Sequence, residues 1–384
     1  MKIAIITISK VNNYGAELQS FALQNVLVAL GYRAEILDYP YYKNDKFKYT
    51  KMARPFVTIG LKRQVKELIN PLLYKLKSLP HRKAKLSRDR KFAEFHQKNT
   101  RFSNITFLTI DELYKSELDY DVFMVGSDQV WNPYTNVSLK PYFLTFAPAR
   151  KRKVSYAASF GVSTIPMAAH EIYRECLNNL DFLSVREEQG VKLVKELTGR
   201  DACHVLDPTL LMNDQDWRKV STPCERTKPY ILLYVLTHSP YITELAKKMA
   251  ADLGWDLVRI CKNAAVEDKD GSITNIIDAG PAEYVGLFLN ASFVLTNSFH
   301  GTAFSVNFSK PFYTILPEHK PNNSRQEGLL GSLDLGDRII KEGDNFPDGT
   351  EYFPDFTQAS SLLQKKREQS LKYLQEAIGG DSHE

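Results

Sequence analysis

Cysteine is scarce in this sequence, which has four in 384 residues, and no two of them are spaced as CxxC or CxxxC. That spacing argues against a zinc site, and a disulfide-stabilised scaffold is not expected at this length. Long hydrophobic runs are also lacking, since none approaches the roughly 20 apolar residues of a bilayer-spanning helix. The first ten residues include six apolar ones, fewer than a signal peptide needs. We therefore expect a cytoplasmic protein without a metal site.

Acidic residues are rare in one segment, residues 43–101, which contains 18 lysines or arginines and four acidic residues. Its net charge is +14 (18 minus 4), and because the whole chain carries +5, the rest carries −9 (5 minus 14). Such a block predicts an anionic partner. Residues 56–79 mix apolar and basic residues at near-helical spacing, which fits an insertion packed on the first domain or a helix lying on a membrane. The block has no recognisable nucleic-acid motif, so no nucleic acid partner is expected.

Strand-like and helix-like segments alternate along the chain. Half of residues 1–8 are isoleucine, "AELQSFALQNVLVALG" has an apolar helical face, and "AEILDY" resumes as a strand. A similar alternation continues with "YILLYVL", "WDLVRI", "SFVLTN" and "PFYTIL". Because βαβ units build parallel sheets, the sequence predicts an α/β protein with two Rossmann-like, doubly wound domains.

A polar stretch without regular period, residues 213–229, is interpreted as the linker between these domains. The predicted N-terminal domain is residues 1–212, with a basic helical insert at about 43–101. The predicted C-terminal domain is residues 230–384 and ends in an amphipathic helix. Two such domains in tandem favour a ligand cleft between them.

A histidine stands where an apolar segment stops, in "FVLTNSFHGTAFSV" (residues 293–306). The predicted strand ends at Asn297, and Asn297 or Ser298 is placed to cap the helix that follows. A helix N-terminus binds anions through its N–H groups, and Gly301 would let a ligand approach the backbone. His300 would then bind phosphate or transfer a proton. The alternative is a buried histidine satisfied by backbone carbonyls.

Polar clusters follow other strand-like segments as well, in "GSDQVWNP", "SYAASFG" and "SVREEQG". In open α/β sheets ligands bind at the carboxyl ends of strands, so these clusters together favour a binding site there. Singly, each fits a turn, a packing contact or a salt bridge equally well. None matches a P-loop, a GxGxxG turn, a GxSxG elbow or an HExxH helix. The candidate residues from these clusters and the first polar loop are Asn13, Ser127, Asp128, Gln129, Ser159, Arg186 and Glu187.

Six segments in this order resemble the polysaccharide pyruvyl transferase family: "NYGAELQSFALQ", "VGSDQVWNP", "SYAASFG", "SVREEQGVKLVKEL", "VLDPTLL" and "LTNSFHGTAFSV". The resemblance extends over about residues 1–340, with the basic block as a variable insert. It implies a transferase that adds pyruvate from phosphoenolpyruvate to a sugar, usually as a ketal bridging two hydroxyls. It also implies a fold like that of B-type glycosyltransferases and a role in bacterial capsule, exopolysaccharide or cell-wall polymer synthesis.

The resemblance assigns roles to individual residues. His300 matches the family histidine taken as catalytic or donor-binding. Arg186 matches an arginine expected to hold the donor's phosphate or carboxylate. Many members carry an arginine two residues before the histidine, where this chain has Ser298. Arg325, in "NNSRQEGLLGSL", is the candidate to replace it, and an ordinary surface cation is the alternative for that residue.

The reaction sets further expectations. Ketal formation delivers a proton to C3 of the enol, joins a sugar hydroxyl to C2 and releases phosphate, so it needs an acid and a base. His300 is the expected acid, Asp128 and Glu187 are acid–base candidates, and no cofactor besides the donor is expected. An acceptor linked to polyprenyl diphosphate would place the enzyme on the inner face of the cell membrane. The alternatives are a B-type glycosyltransferase that uses a nucleotide sugar and a non-catalytic membrane-associated scaffold.

Overall fold

The computed structural model describes residues 1–40, 55–57, 69, 79–135, 137–261, 271–318 and 323–379. The helix expected within residues 56–79 lies almost entirely outside these residues. The chain divides into two compact units. The first unit comprises Met1–Gln64, Asn99–Leu211 and Lys365–Glu384, and the second unit comprises Val65–Lys98 and Met212–Gln364.

The strands in chain order are β1 (Lys2–Ile6), β2 (Arg33–Asp38), β3 (Phe102–Thr106), β4 (Val122–Val125), β5 (Arg152–Ser155), β6 (Ser184–Val185), β7 (Cys203–His204), β8 (Tyr230–Tyr234), β9 (Asp256–Ile260), β10 (Ile273–Ile276), β11 (Phe293–Thr296), β12 (Phe312–Leu316) and β13 (Ile339–Lys341). The helices are α1 (Tyr14–Ala29), α2 (Arg82–Asn99), α3 (Ile110–Lys115), α4 (His170–Asn178), α5 (Glu188–Thr198), α6 (Asp214–Arg218), α7 (Pro240–Leu253), α8 (Pro281–Asn290), α9 (Phe299–Asn307), α10 (Ser324–Gly331) and α11 (Thr357–Gly379).

The first unit contains a parallel sheet in the order β3-β2-β1-β4-β5. Isolated bridges connect the far side of β5 to the short parallel pair β6–β7. The apolar strands β1 and β4 are buried almost throughout, as expected for central strands covered on both faces. Helix α1 follows β1 and begins after Asn13, which caps it: the Asn13 side chain accepts hydrogen bonds from the N–H groups of Gly15 and Ala16.

The second unit repeats this arrangement with a parallel sheet in the order β10-β9-β8-β11-β12-β13. Strands β8, β11 and β12 are buried at every residue. The predicted fold of two doubly wound α/β domains is therefore confirmed. In each sheet the strand order reverses beside the first strand of the unit, between β1 and β4 and between β8 and β11. Ligands bind at such switch points, outside the carboxyl ends of the strands.

The unit boundaries differ from the predicted domains in three places. Residues 213–229 are not simply a linker, because α6 buries Trp217 against Phe304 of the second unit, with ring centroids 5.0 Å apart. Helix α2, expected in the N-terminal domain, belongs to the second unit up to Lys98. The end of α11 belongs to the first unit, where Tyr373 donates its hydroxyl to the carbonyl of Ser155 at 2.9 Å.

Candidate active site

The first switch point is formed by the segments that follow β1 and β4. The hydroxyl of Thr7 donates to the carbonyl of Ser127 at 2.9 Å, which joins the two segments. A Cβ at Gly126 would lie 3.1 Å from side-chain atoms of Leu23 and of Thr7. Glycine therefore allows the segment after β4 to pass close to α1 and the end of β1.

Arg186, which directly follows β6, is the centre of a buried ionic cluster. Its side chain is 1% exposed, and its guanidinium lies 2.8 Å from Asp207, 3.0 Å from Glu187 and 3.9 Å from Asp128. Burial by itself lowers the pKa of Arg186, but the carboxylates of Glu187, Asp207 and Asp128 outweigh it and raise that pKa above its usual range. Arg186 is thus held by carboxylates on several sides.

This geometry does not fit the expected role of Arg186 as a ligand for the donor's phosphate or carboxylate. Three carboxylates surround one guanidinium, so the formal charge of the cluster is −2. A cluster with excess negative charge repels an anionic ligand. The sequence motif located the arginine, but it did not show the carboxylates that the fold brings to it.

Asp128 and Glu187 are the members of this cluster that retain some contact with solvent, with side chains 15% and 10% exposed, whereas Asp207 is 0% exposed. Asp128 has a left-handed backbone conformation (φ 74°), which Asp tolerates better than most residues. Its Oδ1 accepts from the N–H of Gln129 at 2.9 Å. Glu187 accepts at one oxygen from both Arg186 and the hydroxyl of Ser159, the latter at 2.7 Å.

The remaining candidates of the first unit support this cluster or lie near it. Ser127 is buried and donates to Asp207 at 2.9 Å. Gln129 accepts from Asn132, and a Cβ at Gly161 would come within 2.4 Å of the Gln129 side chain. Asn13 acts as the cap of α1. Sequence reasoning missed Asp207, although "VLDPTLL" marks it as a polar residue directly after a strand-like segment.

The second switch point is bridged by Asn297. Its Oδ1 accepts from the N–H of Leu236 at 2.7 Å, and its Nδ2 donates to the carbonyl of Thr237 at 2.9 Å. The segments after β8 and β11 are thereby held together by one amide side chain. Asn297 consequently has a positioning role here, and the helix cap falls to its neighbour.

Helix α9 begins directly after this bridge. Ser298 is its N-cap, and the Ser298 hydroxyl accepts from the N–H of Gly301 at 3.3 Å. His300 lies in the first turn, is partly exposed, and meets the Phe299 ring edge-on at 5.3 Å. A Cβ at Gly301 would lie 2.3 Å from the Thr296 hydroxyl. Close packing of helix against strand therefore already requires glycine here, and the approach of a ligand to Gly301 stays a prediction.

Arg325 reaches the same end of α9 from helix α10. Its guanidinium carbon lies 5.9 Å from the centre of the Phe299 ring, and the side chain is partly exposed. The next residue, Gln326, donates to the carbonyl of Asn297 at 3.4 Å. Arg325 and His300 thus both lie beside the Phe299 ring at the start of α9. That Arg325 replaces the arginine absent at position 298 stays a prediction.

The described residues contain no group of three or more His, Cys, Asp or Glu side chains arranged to hold a metal ion. Within the same part of the chain, no helix combines the length and apolar character needed to cross a membrane.

The fold of this chain is similar to that of known structures. Staphylococcus aureus MnaA bound to UDP is similar with a TM-score of 0.52 at 10% identity, covering 100% of this chain and 98% of that chain. A putative UDP-N-acetylglucosamine 2-epimerase from Listeria monocytogenes is similar with a TM-score of 0.49 at 12% identity, covering 97% of this chain and 90% of that chain. Arabidopsis thaliana UGT89C1 complexed with quercetin is similar with a TM-score of 0.47 at 12% identity, covering 100% of this chain and 95% of that chain. At 10% identity the likeness to S. aureus MnaA shows the fold alone.

Sequence comparison defines the family within this fold. The profile of the polysaccharide pyruvyl transferases matches residues 13–319, so the chain belongs to the polysaccharide pyruvyl transferase family and is a transferase. No curated protein is significantly similar to it in sequence. The resemblance seen in the six sequence segments is confirmed.

Proposed function

We propose that this enzyme transfers the pyruvyl group of phosphoenolpyruvate to a sugar of a polysaccharide precursor, forms a pyruvate ketal and releases phosphate. Membership of the family supports pyruvyl transfer in polysaccharide synthesis. The observation that supports the choice of donor is the N-terminus of α9 at a switch point, where His300 and Arg325 both lie beside the Phe299 ring.

The second unit supplies the groups for an anionic donor. A helix N-terminus has a partial positive charge and attracts phosphate. Arg325 adds a planar fork that grips phosphate or carboxylate at two points. Because Ser298 occupies the position where many family members have an arginine, Arg325 supplies the missing cation from a different helix.

His300 is the proposed acid. In the reaction C3 of phosphoenolpyruvate gains a proton, and the first sugar hydroxyl forms a bond to C2. The C2–phosphate bond then breaks, and the second hydroxyl closes the ketal. Two hydroxyl protons are released, of which one balances the proton delivered to C3 and the other leaves with phosphate. A histidine in the first turn of α9 suits delivery of a proton to a donor bound there.

The proposed base is Asp128 or Glu187. It accepts the proton of the attacking hydroxyl, and the sugar hydroxyl is neutral, so the negative cluster does not repel it. Arg186 and Asp207 do not touch the substrate in this proposal. Arg186 holds Glu187 at 3.0 Å and Asp128 at 3.9 Å, and Asp207 in turn holds Arg186 at 2.8 Å.

The acceptor is proposed to be an oligosaccharide linked to polyprenyl diphosphate. Such an acceptor is held at the membrane, and the basic block of residues 43–101 suits an anionic membrane surface. The enzyme would then work as a peripheral protein on the inner face of the cell membrane.

A B-type glycosyltransferase that uses a nucleotide sugar is the second candidate, because the fold is similar to that of S. aureus MnaA, whose structure contains UDP. The deciding experiment incubates the purified enzyme and acceptor oligosaccharides with phosphoenolpyruvate or with nucleotide sugars. We expect phosphate release with phosphoenolpyruvate and a ketal methyl group in the NMR spectrum of the product. Release of a nucleoside diphosphate, with no phosphate from phosphoenolpyruvate, would establish the second candidate instead.

A further inference from the structure

Helix α2 has one face fixed to the second unit. Arg88 is buried and donates to the carbonyl of Cys261 at 3.2 Å. Lys91 pairs with Glu283 at 3.0 Å and with Asp278 at 3.3 Å. The helix also approaches the chain closely at Gly280, where a Cβ would lie 2.6 Å from the Cβ of Lys91. The phenylalanines Phe92 and Phe95 are buried on the same face, so the orientation of α2 on this unit is defined.

The outward face of α2 combines apolar and basic side chains. Leu86 is 57% exposed, and Leu79, in the short 3-10 turn that leads into α2, is 59% exposed. Lys83 and Arg90 are exposed as well and alternate with these leucines at spacings of three or four residues, which places all four along one side of the helix. Arg82 is also exposed and stands one turn before Leu86.

Single exposed leucines on protein surfaces need no explanation, but this stripe is different because it is interleaved with cations. Within α2, seven lysines or arginines face two acidic residues, a net charge of +5 (7 minus 2). The ion pair that Arg90 makes with Glu94 is solvent-exposed and therefore weak. Leucine with Lys and Arg is the composition of helices that lie in the headgroup region of an anionic bilayer.

We propose that the outward face of α2, with Leu79, Arg82, Lys83, Leu86 and Arg90, is the surface that docks this enzyme on an anionic phospholipid bilayer. The leucines enter the headgroup region and the basic side chains contact the phosphates. The proposal adds a defined contact surface to the membrane location in the proposed function, on which its biological meaning rests. Its test measures binding alone and does not require catalysis.

The test is flotation of the full chain with vesicles of phosphatidylglycerol and phosphatidylcholine in equal parts, and with vesicles of phosphatidylcholine alone. We expect binding to the anionic vesicles that weakens steeply with salt, and little binding to the neutral ones. The triple change Arg82→Gln, Lys83→Gln and Arg90→Gln should weaken binding about a hundredfold. Leu86→Gln, which removes no charge, should weaken it about tenfold.

Matched controls separate local contact from net charge. Lys192→Gln, Lys195→Gln and Lys372→Gln remove the same charge from exposed positions of the first unit, and Leu108→Gln removes a leucine that is 56% exposed there. These variants should bind like the unaltered chain. Equal loss in the controls, an unchanged Leu86→Gln variant, or stronger binding to duplex DNA than to anionic vesicles at the same salt would overturn the proposal.

Insertion has its own reporter. Tryptophan fluorescence of Leu86→Trp should shift to shorter wavelength on anionic vesicles, whereas that of Leu108→Trp should not. Phosphate release from phosphoenolpyruvate by the unaltered chain, with a water-soluble acceptor, distinguishes this proposal from the proposed function. If the unaltered chain releases phosphate but does not bind anionic vesicles, docking is wrong and the transferase assignment stands.

Discussion

The two switch points occupy the same place in the same strand order, yet their electrostatics are opposite. At the first, a buried arginine is surrounded by Asp128, Glu187 and Asp207, and negative charge is in excess. At the second, a helix N-terminus capped by the neutral Ser298 stands beside Arg325. A doubly wound sheet thus determines where a ligand can bind, whereas the side chains at that place determine whether a ligand of positive, negative or no charge is favoured.

The largest effect on activity is expected at the second switch point. His300→Ala should leave the fold intact, because His300 is partly exposed, and should lower kcat/KM for phosphoenolpyruvate by about 10²- to 10⁴-fold, the usual contribution of general acid catalysis. Initial rates of phosphate release measure it. His170→Ala, a change in the first unit outside both clusters, serves as the control. A His300→Ala enzyme with full activity would remove this residue from the mechanism.

The first switch point should respond in stability. Arg186→Met leaves buried carboxylates without their cation, so we expect a loss of about 3–5 kcal/mol in the free energy of unfolding. The same replacement at the second switch point, Arg325→Met, should change stability by less than about 1 kcal/mol, because that side chain is partly exposed. Urea denaturation of both variants tests the contrast. Similar stability losses in the two would mean that the clusters are alike.

Donor affinity should depend on Arg325, whereas stability should depend on Arg186. Arg325→Met should raise KM for phosphoenolpyruvate by about tenfold or more, the scale of one charge-assisted contact, while Arg325→Lys should recover part of the loss because it keeps the charge without the fork. Steady-state kinetics with varied donor provide the measurement. An unchanged KM in Arg325→Met would show that another group holds the donor.

A smaller, pH-dependent effect is expected from Glu17 on α1, near the first switch point. Burial raises the pKa of its carboxyl well above the ordinary value of 4.5. The folded chain then holds a proton that the unfolded chain releases, so Glu17 lowers stability increasingly as pH rises above that ordinary value. The free energy of unfolding of Glu17→Gln should therefore rise relative to that of the unaltered chain as pH increases, by at most about 1.4 kcal/mol per pH unit.

Denaturation curves at several pH values between 5 and 8 measure this gain. Glu196→Gln, the same replacement at an exposed position of α5, provides the control. Parallel stability curves for Glu17→Gln and the unaltered chain would contradict a proton held by Glu17.

Much of the second switch point could be predicted from the sequence, because its residues are adjacent along the chain. Asn297, Ser298, His300 and Gly301 follow one strand directly, so a strand-to-helix pattern is sufficient to place them. Even there, the interpretation of Gly301 needed the structure, which shows Thr296 packed against it. Arg325 was anticipated as a candidate, and only packing of α10 on α9 explains how it arrives.

The first cluster could be predicted only in part. Arg186 and Asp207 are separated by helix α5 and strand β7, and nothing in their spacing indicates that they lie 2.8 Å apart. The linker expected at residues 213–229 was inferred from polarity, yet one buried tryptophan fixes its start to the second unit. The composition of a segment predicts its average exposure, but it does not predict that a single side chain such as Trp217 is buried.

By itself, the sequence determined the alternating elements, the two parallel sheets, the family and the position of His300, because each depends on periodicity or on residues adjacent along the chain. Tertiary structure alone decided that Arg186 is enclosed by carboxylates, that Arg325 lies beside the Phe299 ring at the start of α9, and that α2 has one fixed face and one exposed face. Charge and burial at these places arise from segments distant in sequence, and only folding brings them together.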